Sequence, residues 1–188
     1  MDPKYVTAAK PKVEGAIFRA PLGTTVPTDA TTDLSDAYKE LGFISEDGPS
    51  NDMSESSEDW KAWGGEIVGS ATSEVNDKWK YKLIETLNVE VLKTVYGDDN
   101  VTGDLQSGIH VKKNAKEKAA GIYIIDMLLR DNAVKRVVIP NGKITEIGEV
   151  TYGSNDPTGY EVTITGYRDE NGDTHHEYIV AASEESES

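Results

Sequence analysis

The sequence predicts a mostly β (α+β) fold, in which two packed β-sheets form a sandwich or barrel with one flanking helix. Three observations support this class. Short segments rich in β-branched and aromatic residues recur at roughly 8–12-residue spacing, turn residues separate them, and only one long segment has a convincing helical period. The chain has 188 residues, 37% of them hydrophobic, which suffices for one domain with a buried core.

The N-terminal third predicts short elements separated by loops. Residues 1–12 hold three lysines and two prolines, and are predicted to form an arm rather than a core element. A strand is predicted at 15–20 and a loop at 24–32, where Thr, Pro, Asp and Ala dominate. Apolar residues at i, i+3, i+4 and i+7 predict a short helix over 34–41. A brief strand is predicted at 43–45.

A polar segment follows, which we interpret as a long loop over residues 47–65. Met53 is the one apolar residue among the thirteen from 47 to 59, and five of the thirteen are acidic. The segment ends near Trp60 and Trp63. We predict that the loop is flexible and that Met53, Trp60 and Trp63 are apolar anchors at an interface. The alternative is that both tryptophans are ordinary core residues.

The strongest strand signal lies at residues 78–83, where lysines alternate with Trp79, Tyr81 and Leu83. A period of two places the lysines on one face of the strand and the apolar side chains on the other. Residues 66–74 are predicted to be its hairpin partner, with a turn at Asn76-Asp77.

The one convincing helix is predicted at residues 88–96. Val91, Leu92, Val95 and Tyr96 form an apolar stripe along one side, which Leu87 extends by one turn. The segment begins with Asn88 as the N-cap and ends before Gly97, a residue type favoured just after a helix.

The C-terminal half predicts strands and then a polar tail. Candidate strands lie at 109–113, 122–129, 134–139, 144–152, 160–167 and 176–181. Asn171-Gly172 predicts a type I′ turn between the last two strands. The acidic residues 182–188 predict disorder. The expected organisation is therefore an arm (1–12), one domain (13–181) and a disordered tail (182–188).

No pattern predicts catalysis, so we expect no catalytic, cofactor-binding or metal-binding residues. The chain has no Cys, which excludes thiolate chemistry and disulfides, and it contains no nucleophile-elbow, zinc-protease or phosphate-loop motif. Residues 98–104 have the spacing of a calcium loop, but Ile109 occupies the place of its bidentate Glu. Residues 169–173 are also excluded as a calcium loop, because Val180 occupies the corresponding place. His175 and His176 are adjacent in a strand and should point to opposite faces.

The charge distribution restricts the possible partners. A formal net charge of -15 argues against nonspecific nucleic-acid binding and against an anionic membrane surface. The charge is uneven: residues 111–143 are net positive, whereas 29–66 and 144–188 are net negative. Such blocks allow a chain to complement a copy of itself, although simple solvated faces remain an alternative.

Several segments resemble the major tail tube proteins of long-tailed, noncontractile bacteriophages (siphophages). The most diagnostic runs from Leu83 through Tyr96-Gly97-Asp98-Asp99-Asn100-Val101. The others are residues 10–30, 41–48, 61–65 and 175–179, so the resemblance covers nearly the whole chain.

The resemblance implies a structural virion protein with the tail-tube fold and no enzymatic activity. It implies self-association into rings, commonly hexameric, that stack around a tape-measure protein, with tail terminator and tip proteins as further partners. The loop over 47–65 would then be flexible in the free subunit and pack on another subunit or ring through Met53, Trp60 and Trp63. Viral DNA would pass through the lumen without specific binding, and assembly would take place in the host cytoplasm. The residues by themselves leave an alternative: a virion- or cell-surface β-module that binds carbohydrate or a receptor.

Overall fold

A large antiparallel sheet organises the molecule. The computed structural model describes residues 2–12 and 16–182, in which it contains eleven strands and one α-helix. The elements are β1 (Lys10–Pro11), β2 (Ile17–Pro21), β3 (Lys39–Glu40), β4 (Ser50–Lys61), β5 (Ile67–Leu83), α1 (Val89–Tyr96), β6 (Val101–Thr102), β7 (His110–Val111), β8 (Gly121–Leu128), β9 (Val134–Ile147), β10 (Tyr160–Gly166) and β11 (His176–Val180). The predicted mostly-β class with a single flanking α-helix is therefore confirmed.

Within residues 2–12 and 16–182, nine strands form the larger sheet, and β6 and β7 form a separate two-stranded sheet. The larger sheet has the order β3-β2-β8-β9-β10-β5-β4, with β1 also paired to β8 and β11 to β9. Both β10 and β11 run antiparallel to β9, β10 along its C-terminal half and β11 along its N-terminal half. Since β8 occupies the other edge of β9, β10 and β11 follow one another along the same edge.

The sheet is buried on both faces at its centre. Successive residues of β8 alternate between two hydrophobic clusters: Tyr123 and Ile125 belong to the larger cluster, Ile122 and Ile124 to the smaller. Helix α1 packs into the larger cluster. The loop before β3 covers the smaller one, and Arg136 holds it there: its guanidinium donates to the carbonyl of Thr32 (2.7 Å).

The helix confirms its sequence prediction. The Asn88 side chain accepts a hydrogen bond from the Glu90 backbone N–H, and the Gly97 N–H donates to the carbonyl of Lys93 (2.7 Å). Val91, Leu92 and Val95 are buried. Leu87 is exposed, so the proposed extension of the stripe was wrong. The helix is too short to cross a bilayer, as is every other helix among the described residues.

The predicted helix over 34–41 is wrong. These residues form a turn followed by β3. Leu41 packs in the larger cluster, whereas Leu34 and Tyr38 pack in the smaller one, on the opposite side of the sheet. The helical spacing arose because one segment supplies side chains to both faces.

The predicted structureless loop over 47–65 is also wrong, because residues 50–61 are strand β4. Its partner is β5, which runs without a break through the predicted turn at Asn76-Asp77. Backbone hydrogen bonds along a ladder do not require apolar side chains, so a polar strand of this kind lacks the usual sequence signal. The alternation predicted for 78–83 is confirmed, with Trp79, Tyr81 and Leu83 buried.

Two strand predictions merge into one. Residues 134–139 and the first four residues of the predicted strand 144–152 belong to the single strand β9, which ends at Ile147. A Cβ at Gly142 would lie 2.7 Å from the Tyr123 ring and 3.0 Å from Ile164, so only glycine fits in the middle of this strand. The other predicted strands at 15–20, 122–129, 160–167 and 176–181 are confirmed to within about two residues.

The type I′ turn occurs at a different place from the one predicted. Asp131 and Asn132 both have positive φ (55° and 57°) and join β8 to β9. Asn171 does not, and Gly172 lies in an excursion between two strands that pair with β9 and not with each other. Of the predicted C-terminal tail, residues 183–188 lie outside the described residues, as do residues 13–15.

Candidate assembly surface

A long hairpin extends from the edge of the sheet. Strands β4 and β5 pair from Ser50–Lys80 at one end to Lys61–Ile67 at the other, with bulges after Ser56 and after Trp60. The other neighbour of β5 is β10, whose ladder ends at the pair Thr165–Lys78. Beyond this point, among the described residues, the two hairpin strands pair only with each other.

The far end of the hairpin is a tight glycine turn. The Gly65 N–H donates to the carbonyl of Ala62 (2.9 Å), and the Ala62 N–H donates to the carbonyl of Glu66 (2.8 Å). Gly64 and Gly65 have φ values of 125° and 92°, which side-chain-bearing residues rarely adopt. The Trp63-Gly64-Gly65 sequence therefore reverses the chain within a few residues and leaves the Trp63 ring in solvent.

Large apolar side chains are exposed around this turn. We call them the apolar tip: Trp60, Trp63, Ile67 and Val68. Trp60 is 59% exposed and Trp63 is fully exposed, so the alternative that both are core residues is wrong for the single chain. The Trp60 ring lies across its cross-strand neighbour Gly69, where an added Cβ would be 3.1 Å from Cε3. Exposed aromatic clusters of this kind are typical of interaction surfaces.

Acidic side chains follow the strands below the tip. We call them the acidic shaft: Asp52, Glu55, Glu58, Asp59 and Glu66, all exposed. None has a cationic nitrogen within 4 Å among the described residues. The shaft carboxylates therefore form no ion pair among the described residues, although Lys78 is the cross-strand neighbour of Asp52.

The base of the hairpin is fixed by a buried carboxylate. Asp77, which is 2% exposed, accepts a hydrogen bond from the Asn51 side-chain amide (2.8 Å) and lies 2.5 Å from Nδ1 of His175. The His175 ring also meets the Trp79 ring edge to face, with centroids 5.4 Å apart. Asn51 belongs to β4, Asp77 to β5, and His175 immediately precedes β11, so this cluster joins three parts of the sheet. We call it the hairpin root.

The pKa values at the root favour an ion pair. The Asp77 hydrogen bond raises the pKa of His175 above its ordinary value, against an opposing effect of burial. Burial also acts to raise the pKa of Asp77, but hydrogen bonds from His175, Thr174 and Asn51 outweigh it and hold that pKa below its ordinary value. Each group thus stabilises the charged form of the other.

The structure places the sequence-predicted contact residues on one element but not in one cluster. Met53 is the cross-strand neighbour of Asp77, close to the root, whereas Trp60 and Trp63 lie at the tip. Sequence reasoning missed Ile67 and Val68, although they directly follow the turn. It also missed the root, because nothing local relates Asp77 to His175, 98 positions away.

One group of possible metal ligands occurs among the described residues: Asp169, Asp173 and His176, whose ligand atoms lie within 4.8 Å of one another. The Asp169 carboxylate accepts backbone hydrogen bonds from Asn171 (2.8 Å) and Asp173 (3.0 Å). The cluster is therefore accounted for by a side-chain-capped turn. His176 faces this turn and His175 faces Asp77, so the two adjacent histidines contact different carboxylates.

Comparison with known proteins bears on nearly the whole chain. A family model described as phage tail tube protein matches residues 4–187. No curated protein matches the chain. The match includes the sheet, the helix and the hairpin.

Exposure predicts that the tryptophans contribute very differently to stability. We expect Trp63→Ala to change the free energy of unfolding of the subunit by less than about 0.5 kcal/mol, because the side chain has no buried surface to lose. Trp79→Ala is the matched control, since this buried ring should cost about 3–5 kcal/mol. Urea unfolding of both variants measures the difference. Unfolding of the subunit by Trp63→Ala would contradict the exposed position.

The root predicts a defined pH dependence of stability. His175 has a raised folded-state pKa, so its contribution is complete below its unfolded pKa of about 6.5 and is lost as the pH rises through the folded value. Asp77 has a lowered pKa, so its contribution is lost only as the pH falls below about 4. We expect the stability difference between the wild type and His175→Asn to be largest near pH 5.5 and to shrink as the pH rises.

Urea titrations at several pH values test this expectation. His110→Asn is the matched control, because His110 is exposed and has no carboxylate within 4 Å among the described residues. A difference that grows above neutral pH would contradict the assignment.

Proposed function

The chain belongs to the phage tail tube protein family, and we propose that its copies associate into stacked hexameric rings that form the tail tube of a siphophage. Family membership makes it a structural protein of the virion. In this proposal the tube is the conduit through which viral DNA enters the host during ejection. Rings would assemble in the host cytoplasm, around a tape-measure protein and between tip and terminator proteins.

The observation that best supports self-association is the hairpin. An isolated two-stranded ladder is at best marginally stable in water, and this one also exposes the apolar tip. Packing against another copy would bury the tip and stabilise the ladder at the same time. We assign Met53, Trp60 and Trp63 to this contact between subunits of adjacent rings, with Ile67 and Val68 completing it at the tip.

The proposed role does not require catalysis or a membrane. Stacked rings need complementary surfaces, and the hairpin supplies an extended one at the sheet edge. Passage of DNA requires instead that the wall does not retain the duplex. DNA carries one negative charge per roughly 1.7 Å of its axis, and a protein binds it by releasing its counterions with Lys and Arg. A subunit with a net charge of -15 should release few of the counterions of DNA, and should therefore bind the duplex weakly.

Excising the hairpin tests the role in assembly. We propose joining Met53 directly to Asp77 through Asn-Gly, since these two residues are cross-strand partners and Asn-Gly suits a two-residue hairpin turn. This variant keeps the root and removes the tip and most of the shaft. We expect a folded, soluble subunit that no longer forms the rings or tubes that the wild type forms, as judged by negative-stain electron microscopy and sedimentation velocity.

A replacement in another exposed loop provides the control. Replacing residues 154–156, which lie in an exposed loop away from the hairpin, by Gly-Ser-Gly should leave assembly intact. Normal tubes from the hairpin excision would remove the hairpin from the assembly contact. A wild type that stays monodisperse at high concentration would favour a binding module over a tube subunit.

Duplex binding is predicted to be negligible. We expect the purified protein to show no measurable affinity for duplex DNA at physiological salt, because its net charge is -15. Fluorescence anisotropy with a labelled duplex over a salt series measures this. Micromolar binding with a steep salt dependence would contradict the expectation and the proposed passive wall.

A further inference from the structure

The connection between β7 and β8 concentrates positive charge. It carries four lysines within seven residues, which we call the lysine loop: Lys112, Lys113, Lys116 and Lys118. The first three are exposed and Lys118 is half-buried. None of the four has a carboxylate oxygen within 4 Å among the described residues.

The lysine loop is held in place at two points. At the first, the Asn114 side-chain amide donates to Oδ1 of Asn100 (2.7 Å), and the Lys112 N–H donates to the Asn100 carbonyl (2.8 Å). Asn100 is itself bound to the end of α1 through the carbonyl of Tyr96 (2.7 Å). At the second point, the Glu117 carboxylate pairs with the ammonium of Lys143 on β9.

This arrangement leaves the lysines without internal neutralisation. Glu117 is the only carboxylate in the loop, and its ion pair with Lys143 engages it elsewhere. Burial, and then the nearby ammonium of Lys113, lower the pKa of Lys118 below its ordinary value. Like charges held close together on a fixed loop are relieved when an anionic partner approaches.

The acidic shaft carries the opposite charge to the lysine loop. Its carboxylates are exposed along the β4–β5 ladder, and among the described residues none lies within 4 Å of a cationic nitrogen, those of the lysine loop included. Building on the proposed function, we propose that the acidic shaft of one copy docks on the lysine loop of a second copy, next to the contact made by the apolar tip. The two surfaces are complementary in sign, and both occur on every copy.

Other lysines fit this role less well. Lys80, Lys93, Lys135 and Lys143 already pair with Glu161, Glu90, Glu177 and Glu117. Lys78 and Lys82 lie on the hairpin's own strand, so they cannot receive the shaft of another copy without bringing two shafts together. No other seven-residue stretch of the sequence carries four lysines.

A charge exchange tests the inference. The loop variant is Lys113→Glu with Lys116→Glu, the shaft variant is Glu55→Lys with Asp59→Lys on one face of β4, and the exchanged variant carries all four changes. All four side chains are exposed, so the fold should be retained, which circular dichroism verifies. At about 50 mM salt, we expect the loop and shaft variants each to assemble about tenfold less than the wild type, because like charges then face each other. The exchanged variant should recover to within about twofold, since opposite charges meet again.

The control separates a specific contact from a change in net charge. Lys39→Glu with Arg168→Glu makes the same charge change as the loop variant, on exposed residues outside both surfaces, and should assemble like the wild type. Two outcomes with a tube-forming wild type would overturn the inference and leave the proposed function standing. In the first, the loop variant forms tubes as well as the wild type does. In the second, the exchanged variant does not recover assembly. If the loop variant assembles normally but loses affinity for duplex DNA, the loop is a nucleic-acid contact and the inference is likewise overturned. A wild type that never associates overturns both.

Discussion

The attachment of the hairpin to the sheet depends on the hydrogen bonds made by one buried carboxylate, that of Asp77. At Asp77, β5 leaves the interior of the sheet and becomes one side of a free hairpin. A buried carboxylate without partners costs several kcal/mol, so the contacts of Asn51 and His175 with Asp77 stabilise the strand at this point. The same contacts fix the direction in which the hairpin leaves the sheet. A defined direction would lower the entropic cost of the proposed contact with a second copy.

The parts of the fold that could be predicted from sequence are those with a local physical signature. Residues 78–83 alternate because one face of the strand is buried, and α1 has both a periodic stripe and capping residues. The hairpin has no such signature, since its stability depends on backbone hydrogen bonds between polar residues and on the root. Asn171-Gly172 has the composition of a hairpin turn, but β9 is long enough to pair with both flanking strands and leaves no hairpin for it to close.

Part of the candidate surface was likewise predictable from the sequence, and part was not. Two tryptophans beside a polar segment indicated either a core or an interface, and their exposure shows only that they are not core residues of the single chain. The uneven charge along the sequence indicated complementarity, but not which groups remain available. That depends on contacts between distant residues, such as Glu117 with Lys143 and Asn100 with Asn114, which neutralise or position part of the basic block.

The two surfaces proposed for assembly would contribute different terms to association. A net charge of -15 repels copies of the chain from one another at long range, so association requires a local contact that overcomes this repulsion. Burial of the apolar tip supplies affinity that depends little on salt, because it removes apolar surface from water. The shaft and the lysine loop supply a directional attraction that is screened over about 8 Å at physiological salt. In this proposal the tip would determine whether copies hold together, and the charged surfaces would determine which orientation they adopt.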